Sequence, residues 1–235
     1  MEESLLKVKN LRAWYSREKP VLDGLSIDLK SHESVGLIGL NGAGKTTFLN
    51  ILSGLMGQYE VDGIWMNVSP VKFRDKDFKL RRYTVFDEDH SFQYFTFREY
   101  LSYVFCAYHR EKCDVSELIS GFHFEEYTDM LLKDLSTGNK KKAYLITAFA
   151  LKPELLLLDE PVNGLDFTST EFLYQLIADY KKYGTILFSS HILESITLTC
   201  DRVLVLEGGK ISKCFEHKDI EAAQIREALH DEKHV

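Results

Sequence analysis

Eight consecutive residues constrain this chain of 235 residues more than any other feature of its sequence. They are Gly39-Leu40-Asn41-Gly42-Ala43-Gly44-Lys45-Thr46, and they fit the pattern G-x-x-x-x-G-K followed by Ser or Thr. The glycines of such a loop let the backbone curl, so that successive N–H groups face phosphate oxygens. Lys45 is expected to reach the β- and γ-phosphates, and the hydroxyl of Thr46 to bind Mg²⁺. The loop therefore predicts a nucleotide site.

The segments on either side of the loop support this interpretation. Residues 34–38 are short and apolar, as in a buried strand of a parallel sheet. After the loop, Phe48, Ile51, Leu52 and Leu55 recur at helical spacing. The first amides of that helix have no intrahelical partners and add to anion binding. The alternative, a glycine-rich turn without a ligand, does not account for this context.

Composition excludes several classes of function. The formal net charge of −7 gives no electrostatic basis for binding nucleic acid. The acidic N-terminus lacks the features of a signal peptide, and the longest apolar run, residues 143–151, is about half of what spans a bilayer. The four cysteines show no metal-ligand spacing, which favours reduced thiols in a cytosolic protein. Any membrane role is expected to come through a partner.

Hydrophobic patterning predicts an α/β fold. Alternation over residues 8–14 and 21–29 indicates strands, and Val61-Asp62-Gly63-Ile64 resembles a hairpin turn. Residues 88–150 have helical character and many aromatic side chains, which either form the core of a helical layer or face a partner. Residues 217–235 are charged and are expected to form a solvated helix.

After Pro153, strands alternate again with a helix. The predicted strands are 155–158, 185–188 and 203–206, and the predicted helix is 172–180. This order indicates a mostly parallel sheet with helices packed on it. We therefore expect one domain over residues 1–235, with an α/β core of about 1–87 and 153–235 and an inserted helical subdomain of about 88–152.

Polar residues follow two of these strands. Asp159 and Glu160 end the first, and His191 ends the second. Because ligands of α/β sheets bind at the carboxyl ends of strands, these side chains are expected to meet the phosphate loop. Asp159 is suited to holding Mg²⁺, Glu160 to activating a water molecule, and His191 to donating a hydrogen bond to a phosphate.

With one further segment, the order of motifs resembles a known family. GLNGAGKTT, LSTGNKKK, LLLLDEP, NGLD and SSH occur in that order, and the chain resembles the nucleotide-binding subunit of an ATP-binding cassette (ABC) transporter. The resemblance implies a P-loop NTPase core with an N-terminal antiparallel β region, ATP and Mg²⁺ as cofactors, and two cassettes paired head to tail around two ATP molecules.

The resemblance also implies roles for individual residues. Ser136 and Gly138 would bind the γ-phosphate across the dimer, and Asp166 would contact the opposite protomer. Tyr15 matches the aromatic that stacks on adenine, with Trp14 as the alternative. The expected ATP-binding loop is Gly39, Leu40, Asn41, Gly42, Ala43, Gly44, Lys45, Thr46 and Thr47.

Three departures from the family pattern matter. The signature segment contains Thr137 and Asn139 where glycine and glutamine are usual. The usual Q-loop glutamine is absent, and Glu88 is expected in its place as a catalytic and metal-binding residue, with Asp87 as the alternative. Beside these departures, the three successive lysines Lys140-Lys141-Lys142 are expected to form a solvated helix face, with attraction of phosphate by one of them as the alternative.

These observations predict an ATP-hydrolysing subunit that powers a separately encoded membrane-spanning permease. It is expected on the cytoplasmic face of the membrane, as a homodimer or a heterodimer with a second cassette. The short length and the lack of a C-terminal regulatory domain favour an exporter. The alternatives are a soluble ABC ATPase without a transport role and a regulatory cassette with weak hydrolysis.

Overall fold

An antiparallel sheet forms the N-terminal part of the protein, whose computed structural model describes residues 3–16, 19–216 and 219–230. Strand β1 lies at its centre and pairs with β2 on one side and with β4 and β5 on the other. The strands are β1 (Ser4–Ser16), β2 (Lys19–Lys30), β4 (Tyr59–Glu60), β5 (Gly63–Met66) and β6 (Ser69–Pro70). The N-terminal antiparallel region is present as expected.

The predicted hairpin at residues 61–64 is wrong. Strands β4 and β5 do not pair with each other, because both pair with β1: Tyr59 lies opposite Ala13 and Gly63 opposite Lys9. The two short strands thus lie in line along one edge of β1. The turn that does reverse the chain is the next one, where β5 pairs antiparallel with β6.

A second, six-stranded sheet carries the predicted parallel strands. Its order is β11-β10-β3-β9-β8-β7, parallel throughout except for β11 at one edge. The strands are β3 (Ser34–Ile38), β7 (Arg82–Val85), β8 (Leu155–Asp159), β9 (Thr185–Ser189), β10 (Arg202–Glu207) and β11 (Lys210–Glu216). Every residue of β3, β8 and β9 is buried, which explains their continuous apolar sequences.

Alternate residues of β8 show how the interior is divided. Leu155 and Leu157 join a hydrophobic cluster with the antiparallel sheet, whereas Leu156 and Leu158 join a cluster with the helices on the other face. The parallel sheet therefore lies between two cores. Its parallel strands bring their carboxyl ends to a common edge, where the phosphate loop also begins.

Helices surround this sheet and fill the segment between β7 and β8. That segment contains α3, α4 and α5, with single 3₁₀ turns at Glu125–Tyr127 and Leu132–Asp134. The described helices are α1 (Lys45–Leu52), α2 (Lys76–Arg81), α3 (Phe97–Ala107), α4 (Ser116–Gly121), α5 (Thr137–Leu151), α6 (Phe167–Asp179), α7 (Leu193–Thr199) and α8 (Ala222–His230). No helix within the described ranges is both long and apolar enough to cross a bilayer. The boundaries of a helical subdomain at about 88–152 stay a prediction.

The aromatic residues of this helical segment divide into two groups. Phe97, Phe122 and Phe124 are buried at its centre, as expected for a core. Tyr94 and Tyr103 are 75% and 50% exposed, respectively. The core alternative is therefore confirmed for the buried rings, and a partner-facing role for the exposed ones stays a prediction.

Helix α8 is not the fully solvated helix that its charge predicts, because Ile225 and Ala228 are buried. Residues 217, 218 and 231–235 of that prediction lie outside the described residues. Replacement of Ile225 by alanine is expected to lower the free energy of unfolding by about 2–4 kcal/mol, since it removes buried methyl groups and leaves a cavity. Urea denaturation measures this. The matched change at exposed Gln224, on the same helix, is expected to cost less than about 0.5 kcal/mol; equal effects would contradict the packing of α8.

Candidate nucleotide site

The phosphate loop is held tightly between β3 and α1. A Cβ at Gly39 would lie 2.4 Å from the carbonyl oxygen of Leu206, so no side chain fits there. Gly44 has φ of 108°, a left-handed conformation that favours glycine, and it caps the N-terminus of α1. Lys45 Nζ donates to the carbonyl oxygens of Gly39 at 2.8 Å and Leu40 at 3.4 Å. The lysine therefore folds back on the start of the loop, and it lines the cleft that the loop borders.

The loop borders a cleft of about 460 Å³. Besides loop residues, the cleft is lined by Tyr15, Asp87, Glu160, Asn163 and His191. The phenol of Tyr15 is 66% exposed, and its oxygen lies 3.2 Å from Thr47 Oγ1. Trp14 is half-buried and does not line the cleft. Of the two aromatics considered for adenine, the structure therefore places Tyr15 at the cleft; stacking on adenine stays a prediction.

Asp159 and Glu160 are joined through one serine on the neighbouring strand. Ser189 Oγ donates to Asp159 Oδ1 at 2.6 Å and accepts from the backbone N–H of Glu160 at 3.0 Å. Asp159 is only 2% exposed. It does not line the cleft itself, whereas the neighbouring Glu160 does. Sequence analysis missed Ser189, although a polar residue at the end of an apolar strand was the available signal.

Glu160 and His191 meet in the cleft as predicted. Glu160 Oε2 lies 2.7 Å from His191 Nδ1 and accepts a weaker bond from the His191 backbone N–H at 3.3 Å. A carboxylate only accepts hydrogen bonds, so the Nδ1 atom of His191 carries a proton in this contact. Glu160 has φ of 45°, a left-handed conformation at the strand end that turns its side chain toward His191. The two side chains therefore orient each other.

The choice of Glu88 in place of the Q-loop glutamine is corrected by the structure. Asp87 lines the cleft, whereas Glu88 lies in a neighbouring pocket beside Thr137 and Lys140. Two contacts hold Asp87 in this position: Oδ1 accepts from Lys141 Nζ at 3.1 Å, and both carboxylate oxygens lie 3.3 Å from Asn163 Nδ2. Asp87 therefore replaces Glu88 as the residue placed at the cleft, and a catalytic or metal-binding role for this position stays a prediction.

The predicted solvated face of lysines is also wrong. Lys140 is half-buried, but the side chains of Lys141 and Lys142 are 2% and 7% exposed. Burial lowers the pKa of Lys141, and the carboxylate of Asp87 offsets part of that effect. Lys142 Nζ donates to Asp166 Oδ2 at 2.6 Å, and this bond holds the pKa of the Asp166 carboxyl well below its usual range. Each buried ammonium group thus has a carboxylate partner.

The start of α5 lies away from this cleft. Ser136 caps the helix, accepting from the backbone N–H of Asn139 at 3.2 Å. Gly138 packs against Gly164, and a Cβ at Gly138 would lie 2.2 Å from the Gly164 carbonyl oxygen. Asp166 caps α6 by accepting from Ser169 N–H at 2.9 Å. Ser136, Gly138 and Asp166 do not line the cleft of their own chain.

With this geometry established, comparison with known proteins decides the family. The family model for the ABC transporter matches residues 22–163. The chain belongs to the ABC transporter family. Two relatives come from Bacillus subtilis (strain 168): the putative ABC transporter ATP-binding protein AlbC is 34% identical, over 89% of this chain and 91% of AlbC. The ABC-type transporter ATP-binding protein EcsA is 33% identical, over 88% of this chain and 85% of EcsA.

Solved structures agree with this assignment. The ATP binding subunit of an ABC transporter superposes with a TM-score of 0.86 at 28% identity, covering 97% of this chain and 98% of that one. A dimeric post-hydrolysis state of the ATP-binding cassette MJ0796 with ADP and Pi gives 0.79 at 20% identity, over 90% of this chain and 98% of that one; at this identity the likeness shows the fold. The P-loop α/β fold and the ABC ATPase subunit predicted from sequence are confirmed.

The cassette's cleft combines two chemical capabilities. The phosphate loop and Lys45 offer donors to an anion, whereas Asp87, Glu160 and the adjoining Asp159 offer hard oxygen ligands and a base. The Thr46 hydroxyl also lines the cleft. Oxygen donors beside a polyphosphate site are what Mg²⁺ prefers, since it is usually bound by one or two protein groups together with substrate phosphates. The residues therefore fit a magnesium nucleotide.

Proposed function

We propose that this ABC cassette hydrolyses ATP with Glu160 and His191 and pairs with a second cassette around two ATP molecules to drive a separate membrane-spanning partner. The hydrogen-bonded Glu160–His191 pair in the same cleft as the phosphate loop carries the proposal. A base needs hydrogen-bonding reach to the group it activates and a neighbour that orients it. The contact with His191 supplies the orienting neighbour, and the position of Glu160 in the cleft supports reach to a water beside the phosphates.

The other predicted site residues have the following proposed roles. Residues 39–47 with Lys45 cradle the phosphates, and Tyr15 stacks on adenine. Thr46, Asp159 and Asp87 would hold Mg²⁺, which when bound neutralises charge on the phosphates. Glu160 takes a proton from, or orients, the attacking water. With Nδ1 donating to Glu160, the Nε2 atom of His191 accepts from the attacking water in the neutral ring, or donates to a phosphate oxygen in the imidazolium.

The exposed start of α5 supports a dimeric site. Ser136 and Gly138 present a helix N-terminus, which attracts anions, yet they do not line their own chain's cleft. A second cassette, identical or related, is proposed to place this helix end against the ATP of its partner. Asp166 lies near the same surface through its bond to Lys142.

The membrane partner is proposed to dock in a groove of about 310 Å³ beside the cleft. The groove is bordered by Leu55, Phe86, Tyr100, Tyr103 and Tyr108. Leu55 and Tyr103 are 66% and 50% exposed, and Phe86 immediately precedes Asp87. A partner seated here would sense the nucleotide site through the segment that carries Asp87, and it would hold the cassette on the cytoplasmic face of the membrane.

Replacement of Tyr103 by alanine is expected to reduce recovery of the membrane partner at least about fivefold, since aromatic anchors dominate interface energies. The test is affinity purification of the tagged chain from detergent-solubilised membranes, with the membrane protein identified by mass spectrometry. Tyr183 is equally exposed at 50% and lies outside the groove, so Tyr183→Ala is the matched control. Equal loss in both variants would contradict the docking site, and a persistently soluble assembly would favour the non-transport alternative.

An export direction is proposed from one relative. The Nod factor export ATP-binding protein I of Rhizobium meliloti (strain 1021) is 34% identical over 82% of this chain, which covers 58% of that protein. Its name describes export by that protein. For this chain, ATP-dependent efflux from cells that co-express the recovered membrane protein would test the direction, and ATP-dependent uptake would contradict it.

A further inference from the structure

Lys141 is a buried cation directly behind the wall of the cleft. Its side chain is 2% exposed. Its Nζ lies 3.1 Å from the Phe86 carbonyl oxygen, 3.1 Å from Asp87 Oδ1 and 3.5 Å from the Glu160 carbonyl oxygen. Both Asp87 and Glu160 line the cleft. Lys141 therefore contacts the two segments that bring carboxylates to the site.

The charges of the cleft make this cation significant. Asp87 and Glu160 both face a space proposed to receive an ATP polyphosphate, which is itself strongly negative. At separations of several ångströms, an uncompensated carboxylate opposes anion binding appreciably, more so where solvent is partly excluded. The side chain of Asp87 is 39% exposed, so water screens it only in part. A neutral side chain in place of Asp87 would not oppose the binding of the polyphosphate.

We propose that Asp87 and Lys141 act as one electrically neutral unit in the cleft wall, with Lys141 as a positioning residue. The ammonium group cancels the charge of Asp87 toward the polyphosphate and, together with Asn163, fixes the carboxylate. This inference rests on the proposed function, because it assumes that ATP occupies the cleft.

The contacts of Asp87 leave room for this role. Oδ1 accepts from both Lys141 and Asn163, whereas Oδ2 accepts from Asn163 at 3.3 Å. Oδ1 is thus held by two donors, and Oδ2 can accept a further hydrogen bond. Lys142 provides a contrast within the same helix: it is also buried and paired, but its partner Asp166 does not line the cleft. A purely structural lysine is expected to behave like Lys142.

The test is ATP affinity without metal, measured by titration calorimetry in EDTA, where hydrolysis does not interfere. Lys141→Gln is expected to weaken ATP binding about fivefold, because Asp87 then repels the polyphosphate. Asp87→Asn is expected to strengthen binding by a similar factor. The double variant, neutral at both positions, is expected to bind within twofold of the parent. Glutamine can still donate to the Phe86 and Glu160 carbonyl oxygens, so the variant is expected to fold.

The matched control is Lys142→Gln, which is expected to lower the melting temperature but to leave metal-free ATP affinity within twofold. The proposal would be overturned if Lys141→Gln bound metal-free ATP as tightly as the parent. It would also be overturned if both Lys141→Gln and Asp87→Asn bound ATP more weakly. If the parent protein binds ATP neither in EDTA nor with Mg²⁺, the proposed function and this inference fail together; binding with Mg²⁺ but not in EDTA would overturn this inference alone. If the parent binds ATP and Lys141→Gln binds equally well, this inference alone fails.

Discussion

Replacement of Glu160 by glutamine is expected to lower ATP turnover at least about 100-fold while leaving ATP binding within about twofold of the parent. A positioned general base contributes roughly 10²–10⁴ to a rate, and glutamine cannot take a proton at neutral pH. The amide oxygen of glutamine can still accept from His191 Nδ1, which the carboxylate does at 2.7 Å in the parent. The variant therefore removes the base and keeps the geometry. Phosphate release measures turnover, and titration calorimetry measures binding.

Two comparisons make this result specific. Lys45→Ala is expected to lose ATP binding itself, because Lys45 supplies the ammonium group beneath the loop. Glu171→Gln, at an exposed position on α6, is expected to change neither property. Turnover in Glu160→Gln within about threefold of the parent would show that another group activates the water. Absence of turnover in the parent, with ATP still bound, would instead favour the regulatory alternative.

The strands that deliver the site could be predicted because they are buried on both faces. The strands β3, β8 and β9 are mostly apolar and fully buried. The phosphate loop follows β3, Asp159 ends β8, and His191 comes two residues after β9. Parallel strands bring these ends to one edge whatever the details of packing. The meeting of Glu160 and His191 followed from this rule, although 31 positions separate them.

The choice between Asp87 and Glu88 could not be made in the same way. The two residues are adjacent acids, and the sequence around them lacks the alternation that would assign one to the cleft. What orients Asp87 is its pairing with Lys141 and Asn163, 54 and 76 positions later in the chain. Local patterning contains no information about such contacts.

The lysines of α5 are a second case in which contacts between segments distant in sequence made a local prediction wrong. A run of three lysines on a helix predicts a solvated face, since lysine is almost never fully buried unless it is paired. Here each buried lysine has a carboxylate partner brought by another segment, Asp87 for Lys141 and Asp166 for Lys142. The prediction of a hairpin at residues 61–64 was wrong for a related reason. Both short strands, β4 and β5, pair with the longer strand β1, which is distant in sequence.

The close packing of Gly138 leads to the second large expected effect. A Cβ there would lie 2.2 Å from the carbonyl oxygen of Gly164, a backbone atom that cannot rotate away. Gly164 itself has φ of 80°, and the segment that follows is fixed where Asp166 caps α6 and pairs with Lys142. Gly138→Ala is therefore expected to push the start of α5 away from this segment.

Because the start of α5 and Asp166 belong to the surface proposed to meet a second cassette, this displacement is expected to abolish ATP-dependent dimerisation and to lower turnover at least about tenfold. Light scattering in the Glu160→Gln background, with ATP, measures dimerisation without hydrolysis. Gly121→Ala is the matched control: its Cβ would also lie 2.2 Å from a neighbour, but that neighbour is the Phe172 ring, a side chain. We expect Gly121→Ala to lower stability and to keep dimerisation. The steric conflict at Gly138 exists whether or not the dimer forms. If Gly138→Ala still dimerises with ATP at the same protein concentration as the parent, the second cassette must therefore meet a different surface.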